Sequence, residues 1–211
     1  MKRILVATGL FTISLAFLFG SNSTSAQEGP QLSTSAPKGK VAEIEVYTAD
    51  IDKFVKSSLK TERIFANVAS AAKNEPVTWR EFSSEDERKK VDTGDNLTES
   101  AFVWLRDGKV VGANFTFQGP ARDWDNSVMY YFRDNGSLAK SDSKLNTMKG
   151  GIVVVRQDYY DSKGILLKGT THCRDIATQQ SKPCGEFSDR PAPLFATTRQ
   201  LPFYGLLAKR S

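Results

Sequence analysis

The spacing of hydrophobic positions changes along this chain, and each change marks a predicted element. In "VAEIEVY", Ala42, Ile44 and Val46 alternate with other residues, which predicts a short strand. The next stretch repeats at helical spacing: Ile51, Phe54, Val55, Leu59, Phe65, Val68, Ala69 and Ala72 form one apolar stripe, with Asp50 and Asp52 at its start. This predicts an amphipathic helix, broken near Thr61 and stopped by "KNEP". After "VTWREF", the segment "SSEDERKK" has Ser84 and Glu87 at the spacing of a capping box, which predicts a second, shorter helix.

From Ser100 onward the period is two. "AFVWL", "VVGANFTFQ", "SVMYYF", "GIVVVRQDYY" and "ILLKGTTHC" are rich in aromatic and β-branched residues and are separated by turn residues. One outline recurs: Trp104, Phe132 and Tyr160 each precede a glycine by four residues, at Gly108, Gly136 and Gly164, so the period is 28. The residues leading into each new strand, "RDG", "DNG" and "SKG", suit a three-residue hairpin loop closed by a glycine at positive φ. That register sets Trp104 opposite Val110, Phe132 opposite Leu138 and Tyr160 opposite Leu166. The outline resembles the tyrosine-and-glycine hairpin units of YD repeats and MORN-like repeats, a resemblance confined to the three turn-centred stretches and implying repeated hairpins alone. The expected fold is α+β, with a meander of about six antiparallel strands, twisted or closed into a half-barrel, and N-terminal helices on one face.

Within the first hairpin, period two places Ala101, Val103, Leu105, Val111, Ala113, Phe115 and Phe117 on one face, the face expected under the helices. The other face gathers Trp104 and Val110 near the turn, joined by Tyr130, Phe132, Leu138, Tyr160 and Leu166 from the later hairpins. Such an aromatic patch is either a small core closed by the C-terminal "LFATTRQLPFYGLL" or an open site for an apolar or aromatic ligand. Trp104, Phe132, Tyr160 and, in a separate loop, Trp124 are therefore the candidate ligand-binding residues.

Composition changes the picture mainly at the N-terminus. Lys2 and Arg3, the apolar run Ile4 to Gly20 and the small residues "STSA" read as a secretory signal over residues 1–26, with Gln27 as the first mature residue. Residues 27–40 are rich in Pro, Gly and Ser and read as a flexible lead-in to a single domain over 41–211. Without the signal the chain has 27 basic and 24 acidic side chains, a formal charge of +3 scattered in sign, which gives no basis for nucleic-acid binding. No later segment is apolar enough to span a membrane. Two cysteines, Cys173 and Cys184, should pair in an oxidising compartment, worth ~2–3 kcal/mol in the chain-entropy model.

Little of the sequence names a chemistry. His172 is the only histidine, and no nucleophile-elbow motif accompanies it. Asp123 and Asp125 flank Trp124 in "RDWDN", too few oxygens for calcium without other ligands. No cofactor or metal is expected. The leading expectation is a periplasmic or secreted, non-catalytic binding or interaction protein for an apolar or aromatic ligand or a protein partner. The alternative is a small envelope or secreted hydrolase using Asp123, Asp125 or His172. If the signal is read correctly, N-terminal mass mapping of the exported product should find Gln27 first, and a membrane-retained product still carrying Met1 would contradict it.

Overall fold

A computed structural model describes residues 38–58, 61–68, 78–91, 97–119, 121–187 and 192–208. The signal, the lead-in up to residue 37 and the "KNEP" stop lie outside the described residues. Helix α1 (Lys38–Ser57) is followed by β1 (Arg63–Val68), β2 (Thr78–Phe82), α2 (Glu85–Val91) and six further strands: β3 (Leu97–Arg106), β4 (Lys109–Gln118), β5 (Trp124–Phe132), β6 (Leu138–Thr147), β7 (Ile152–Tyr160) and β8 (Leu166–Asp175). A short helix α3 (Tyr204–Leu207) comes last. All eight strands form one antiparallel sheet in the order β2-β1-β3-β4-β5-β6-β7-β8, open at both edges. The α+β expectation therefore holds at the level of an antiparallel sheet with a few helices, with eight strands in place of about six.

Two N-terminal expectations are corrected. "VAEIEVY" is helical, because Val41, Ile44, Thr48 and Ile51 recur every three or four residues and are buried, whereas Val46, in phase with the strand reading, is 74% exposed. The stripe does not continue as helix through Phe65 and Val68, which lie in β1. Ile64, Phe65 and Ala66 are buried in succession, as in a strand covered on both faces, and no single helical stripe could bury all three. The second helix forms where the capping pattern puts it. The Glu87 amide donates to Ser84 Oγ at 3.1 Å, and the Glu87 carboxylate accepts from the Ser83 amide at 2.7 Å, one residue earlier than in the standard box.

The three hairpins differ at their turns. Gly136 and Gly164 have φ of 81° and 82° and close three-residue loops that pair Phe132 with Leu138 and Tyr160 with Leu166. The first hairpin instead turns on two residues, Asp107 and Gly108, both at positive φ (52° and 74°), so Arg106 pairs with Lys109 and Leu105 with Val110. Asp-Gly is the dipeptide that tolerates this turn, and its one missing residue moves the whole equivalence. Trp104 lies opposite Gly112, as Tyr131 lies opposite Lys140 and Tyr159 opposite Lys168. The structural counterparts of Trp104 are thus Tyr131 and Tyr159, while Phe132 and Tyr160 correspond to Leu105.

Each hairpin carries a β-bulge at this point, and the residues it inserts are Val111, Ala139 and Leu167, spaced by 28. All three face α1. Ile51, fully buried, packs with Trp104, Val111 and Tyr131, while Val41 and Ile44 pack with Ala139, Tyr159 and Leu167, and Tyr47 touches both groups. Hydrogen bonds fix the helix in place: Tyr47 Oη donates to the Phe132 carbonyl at 2.8 Å and Tyr131 Oη donates to Asp52 Oδ1 at 2.9 Å. Arg106 reaches Asp50 at 2.7 Å.

The face expected under the helices, with Ala101, Val103, Ala113, Phe115 and Phe117, is covered by the C-terminal segment instead. That segment returns across the sheet as a strap. The Leu138 amide donates to the Ala196 carbonyl, Phe203 stacks on Phe65 at 4.2 Å, and Arg63, bidentate to Glu81, also donates to the Leu206 and Leu207 carbonyls. Helices α1 and α2 therefore share one face, with Val91 of α2 near Phe102, and the strap holds the other. Replacing Trp104 with Ala should lower unfolding stability by ~3–5 kcal/mol, the usual loss for a buried Trp. Denaturant titration checks this, and a loss below ~1 kcal/mol would mean that α1 does not depend on this seat.

Candidate functional site

The strap does not cover its face evenly. One core lies around Phe115, Tyr130 and Phe132, and a second around Leu145, Ile152, Val154 and Cys173 beneath Phe187. Between them, strict alternation along β6 and β7 turns small and charged side chains toward the strap: Ser141, Ser143, Arg156 and Asp158. Two cross-strand rows result, Tyr130–Ser141–Asp158–Gly169 and Val128–Ser143–Arg156–Thr171. Because none of the polar residues fills the space that Leu or Phe would, a cavity of about 190 Å³ remains beneath Ala192, Pro193 and Leu194.

Asp158 dominates this cavity. The residue is 7% exposed, its Oδ2 accepts from Arg156 Nε at 2.7 Å, and its buried Oδ1 has no hydrogen-bond partner among the described residues. A Cβ at Gly169 would lie 2.8 Å from Oδ1, so the missing side chain there is what gives the carboxylate its room. Oδ1 thus faces the β8 backbone at Gly169, outside the cavity lining, and leaving it unpaired there carries a desolvation cost. Tyr160 forms part of the same wall. Burial raises its phenol above the ordinary value, the Asp158 charge adds to the rise, and a hydrogen bond with Ser141 opposes it. Tyr130 is pushed up by burial and then by Tyr160, and its hydroxyl donates to the Pro193 carbonyl, which ties the strap to the rim.

Two larger clefts, about 680 and 720 Å³, flank the Arg133–Asn135 turn at the other end of the sheet. Their polar walls are engaged in holding the turn and the strap. Arg133 donates to the Leu138, Tyr160 and Asp161 carbonyls, and Asn135 Oδ1 accepts from the Ser137 amide and hydroxyl.

The residues singled out in the sequence are scattered. Trp104 is 7% exposed beneath α1, Phe132 is fully buried on the strap face and Tyr160 borders the cavity, so the three do not form one patch. The reading that aligned them is overturned by the two-residue turn. Trp124 is half-buried and packs against both strap-side cores. Asp125 accepts from Asn146 at 2.8 Å and shares the helix face with His172, but lies three strands away, roughly 14 Å at ordinary strand spacing. Asp123 precedes β5, and its carbonyl accepts from the Met148 amide. Among the described residues no three His, Cys, Asp or Glu side chains converge to hold a metal, and no helix is long and apolar enough to cross a membrane. Cys173 and Cys184 form a disulfide, S–S 2.04 Å, with Cys173 buried and neighbouring His172 exposed on the opposite face.

The sequence reading missed Ser141, Ser143 and Asp158 as site residues. The signal was an Asp within the aromatic and β-branched run "IVVVRQDYY", facing a glycine across the ladder. Comparison with known protein families, with curated proteins and with solved structures found no match.

Tyrosine ionisation reports on this packing. Burial, followed by the Glu45 charge, pushes Tyr159 up to about 12, and Tyr47, Tyr130, Tyr131 and Tyr160 are also raised, in each case by burial first. A raised phenol pKa means that the unfolded chain loses its proton first. This contribution to stability is complete below the unfolded value near 10 and declines as pH climbs from there through the folded pKa. Phenolate absorbance of the native protein should show Tyr159 ionising near 12, a step missing in Tyr159→Phe. Ionisation of every tyrosine near pH 10 with the fold intact would contradict this burial.

Proposed function

We propose that this chain is an exported, non-catalytic binding protein that holds a small polar ligand between the strap and strands β5 to β7. One observation carries the reading: the buried Asp158 carboxylate lines a small cavity under the strap together with Ser141, Ser143, Arg156 and Tyr160. Binding sites characteristically keep a few convergent polar groups in an enclosed space, and Ser141, Ser143, Arg156 and Tyr160 converge here with Asp158. The disulfide and the N-terminal signal pattern support an oxidising compartment outside the cytoplasm. A non-catalytic role is favoured because the only histidine stands on the opposite face from the cavity, where it cannot serve these hydroxyls as a base. An apolar ligand on the aromatic patch loses its support, since Trp104 and Phe132 are occupied by the chain's own α1 and strap.

Equilibrium dialysis against a low-molecular-weight extract tests the proposal. Wild-type protein should retain a discrete component, identified by mass, that Ser143→Phe no longer retains while melting at a similar temperature. Retention by the filled variant would move the site elsewhere, and no retention by either protein would count against binding.

A further inference from the structure

We infer that a second site lies at the turn end of the sheet, where the cleft of about 680 Å³ between the first two hairpin turns and the strap takes a small organic oxyanion, a carboxylate or phosphate carried on an apolar body. This site goes beyond the strap cavity and does not depend on it. The side chains around the cleft leave an excess of positive charge. Arg63 is paired with Glu81 through two hydrogen bonds of 2.8 Å, so Lys109, Arg133 and Arg199 stand against Asp134 alone. Lys109 and Arg199 are exposed and have no hydrogen-bond or ion-pair partner among the described residues. Arg133 donates to the Leu138, Tyr160 and Asp161 carbonyls and to the Ser137 hydroxyl, contacts that hold the guanidinium in place without cancelling its charge. Burial lowers this guanidinium from its ordinary value, and the Tyr47 and Asp161 charges oppose that only in part.

Geometry adds to charge. Nε–H of Arg133 has no partner among the described residues and is not buried, which leaves a donor on the same Nε–Nη2 edge that Arg63 turns on Glu81. Carboxylates and phosphates are the groups this planar edge recognises. The neighbouring cleft also includes Arg133, but its charges balance, with Lys40, Lys163 and Arg133 set against Glu43, Asp161 and Asp134. An anion is therefore drawn to the first cleft, whereas an ammonium group would meet like charge there. Leu105, Val110, Leu207 and the exposed ring of Tyr204 line the same space and give the rest of the molecule apolar contact. A volume of 680 Å³ lies within the roughly 300–1,000 Å³ typical of small-molecule sites.

The test uses the full mature chain with its disulfide intact and follows the amide resonances of Gly108, Gly136 and Arg199. The probes are benzoate and phenyl phosphate, set against neutral benzamide and cationic benzylamine. Benzoate or phenyl phosphate should shift these resonances saturably and more weakly at high salt, the tighter of the two identifying the oxyanion. Arg133→Gln should weaken that binding by on the order of tenfold, the scale of one charge-assisted hydrogen bond. The double variant Lys109→Gln, Arg199→Gln, which changes only exposed side chains, should weaken it as well and keeps the idea testable if Arg133→Gln fails to fold. Ser143→Phe, which fills the strap cavity, should leave anion binding unchanged, and loss of anion binding in that variant would overturn the second site. Benzamide or benzylamine binding as tightly as the anions would overturn the ligand class. Equal anion affinity in wild type and the double variant would overturn the role given to the free cations. Silence of every probe in the folded protein would overturn this inference and leave the strap-cavity reading standing.

Discussion

One extra residue on the outgoing strand of each hairpin gives this sheet its hold on α1. A regular ladder alternates faces strictly, but a bulge sets two neighbouring residues against one and adds a contact to one side. Val111, Ala139 and Leu167 are those additions, placed beside Trp104, Tyr131 and Tyr159 on the incoming strands. A helix crossing six strands meets the same aromatic-plus-bulge seat three times. The 28-residue period is therefore a spacing of seats for α1.

The opposite face depends on the same alternation with a different outcome. Where successive strands all present large apolar side chains, the strap seals down, as at Phe65, Phe115 and Phe203 with ring centroids 4.2 to 5.6 Å apart. Where β6 and β7 present Ser141, Ser143, Arg156 and Asp158, it bridges over them. The cavity thus arises from an interruption in a hydrophobic face, held at its margin by the Tyr130 hydroxyl on the Pro193 carbonyl. Rigid strands supply the polar groups, and only the roof is loop.

Much of this was legible in the sequence, and the misreadings have physical causes. Gly136 and Gly164 were read as turn residues because a three-residue loop needs positive φ, and both have it. At Trp104 the count of 28 was correct and the inference from it was not, since a two-residue Asp-Gly turn shortens the loop without changing the sequence spacing. Helix α1 was missed at its start because "VAEIEVY" fits both periods, and burial by a sheet assembled from residues beyond 100 decides between them. Asp158 was overlooked for a related reason. A carboxylate at an inward position of a strand means little until its neighbour across the ladder proves to be glycine and the strap proves to roof it.

The grip of Arg63 on α3 also orders events in time. Its guanidinium binds carbonyls 143 and 144 residues downstream, and Phe65 beside it is covered by Phe203. A chain emerging N-terminus first makes β1 early and then holds its apolar strap face open until Phe203 to Leu207 have appeared. Closure is therefore a non-local step, slow in the way that high-contact-order pairing is slow, and the nascent molecule carries an uncovered aromatic surface while the intervening strands are made. A protein built this way gains its resistance to unravelling only when Phe203 and α3 have closed over Phe65 and Arg63.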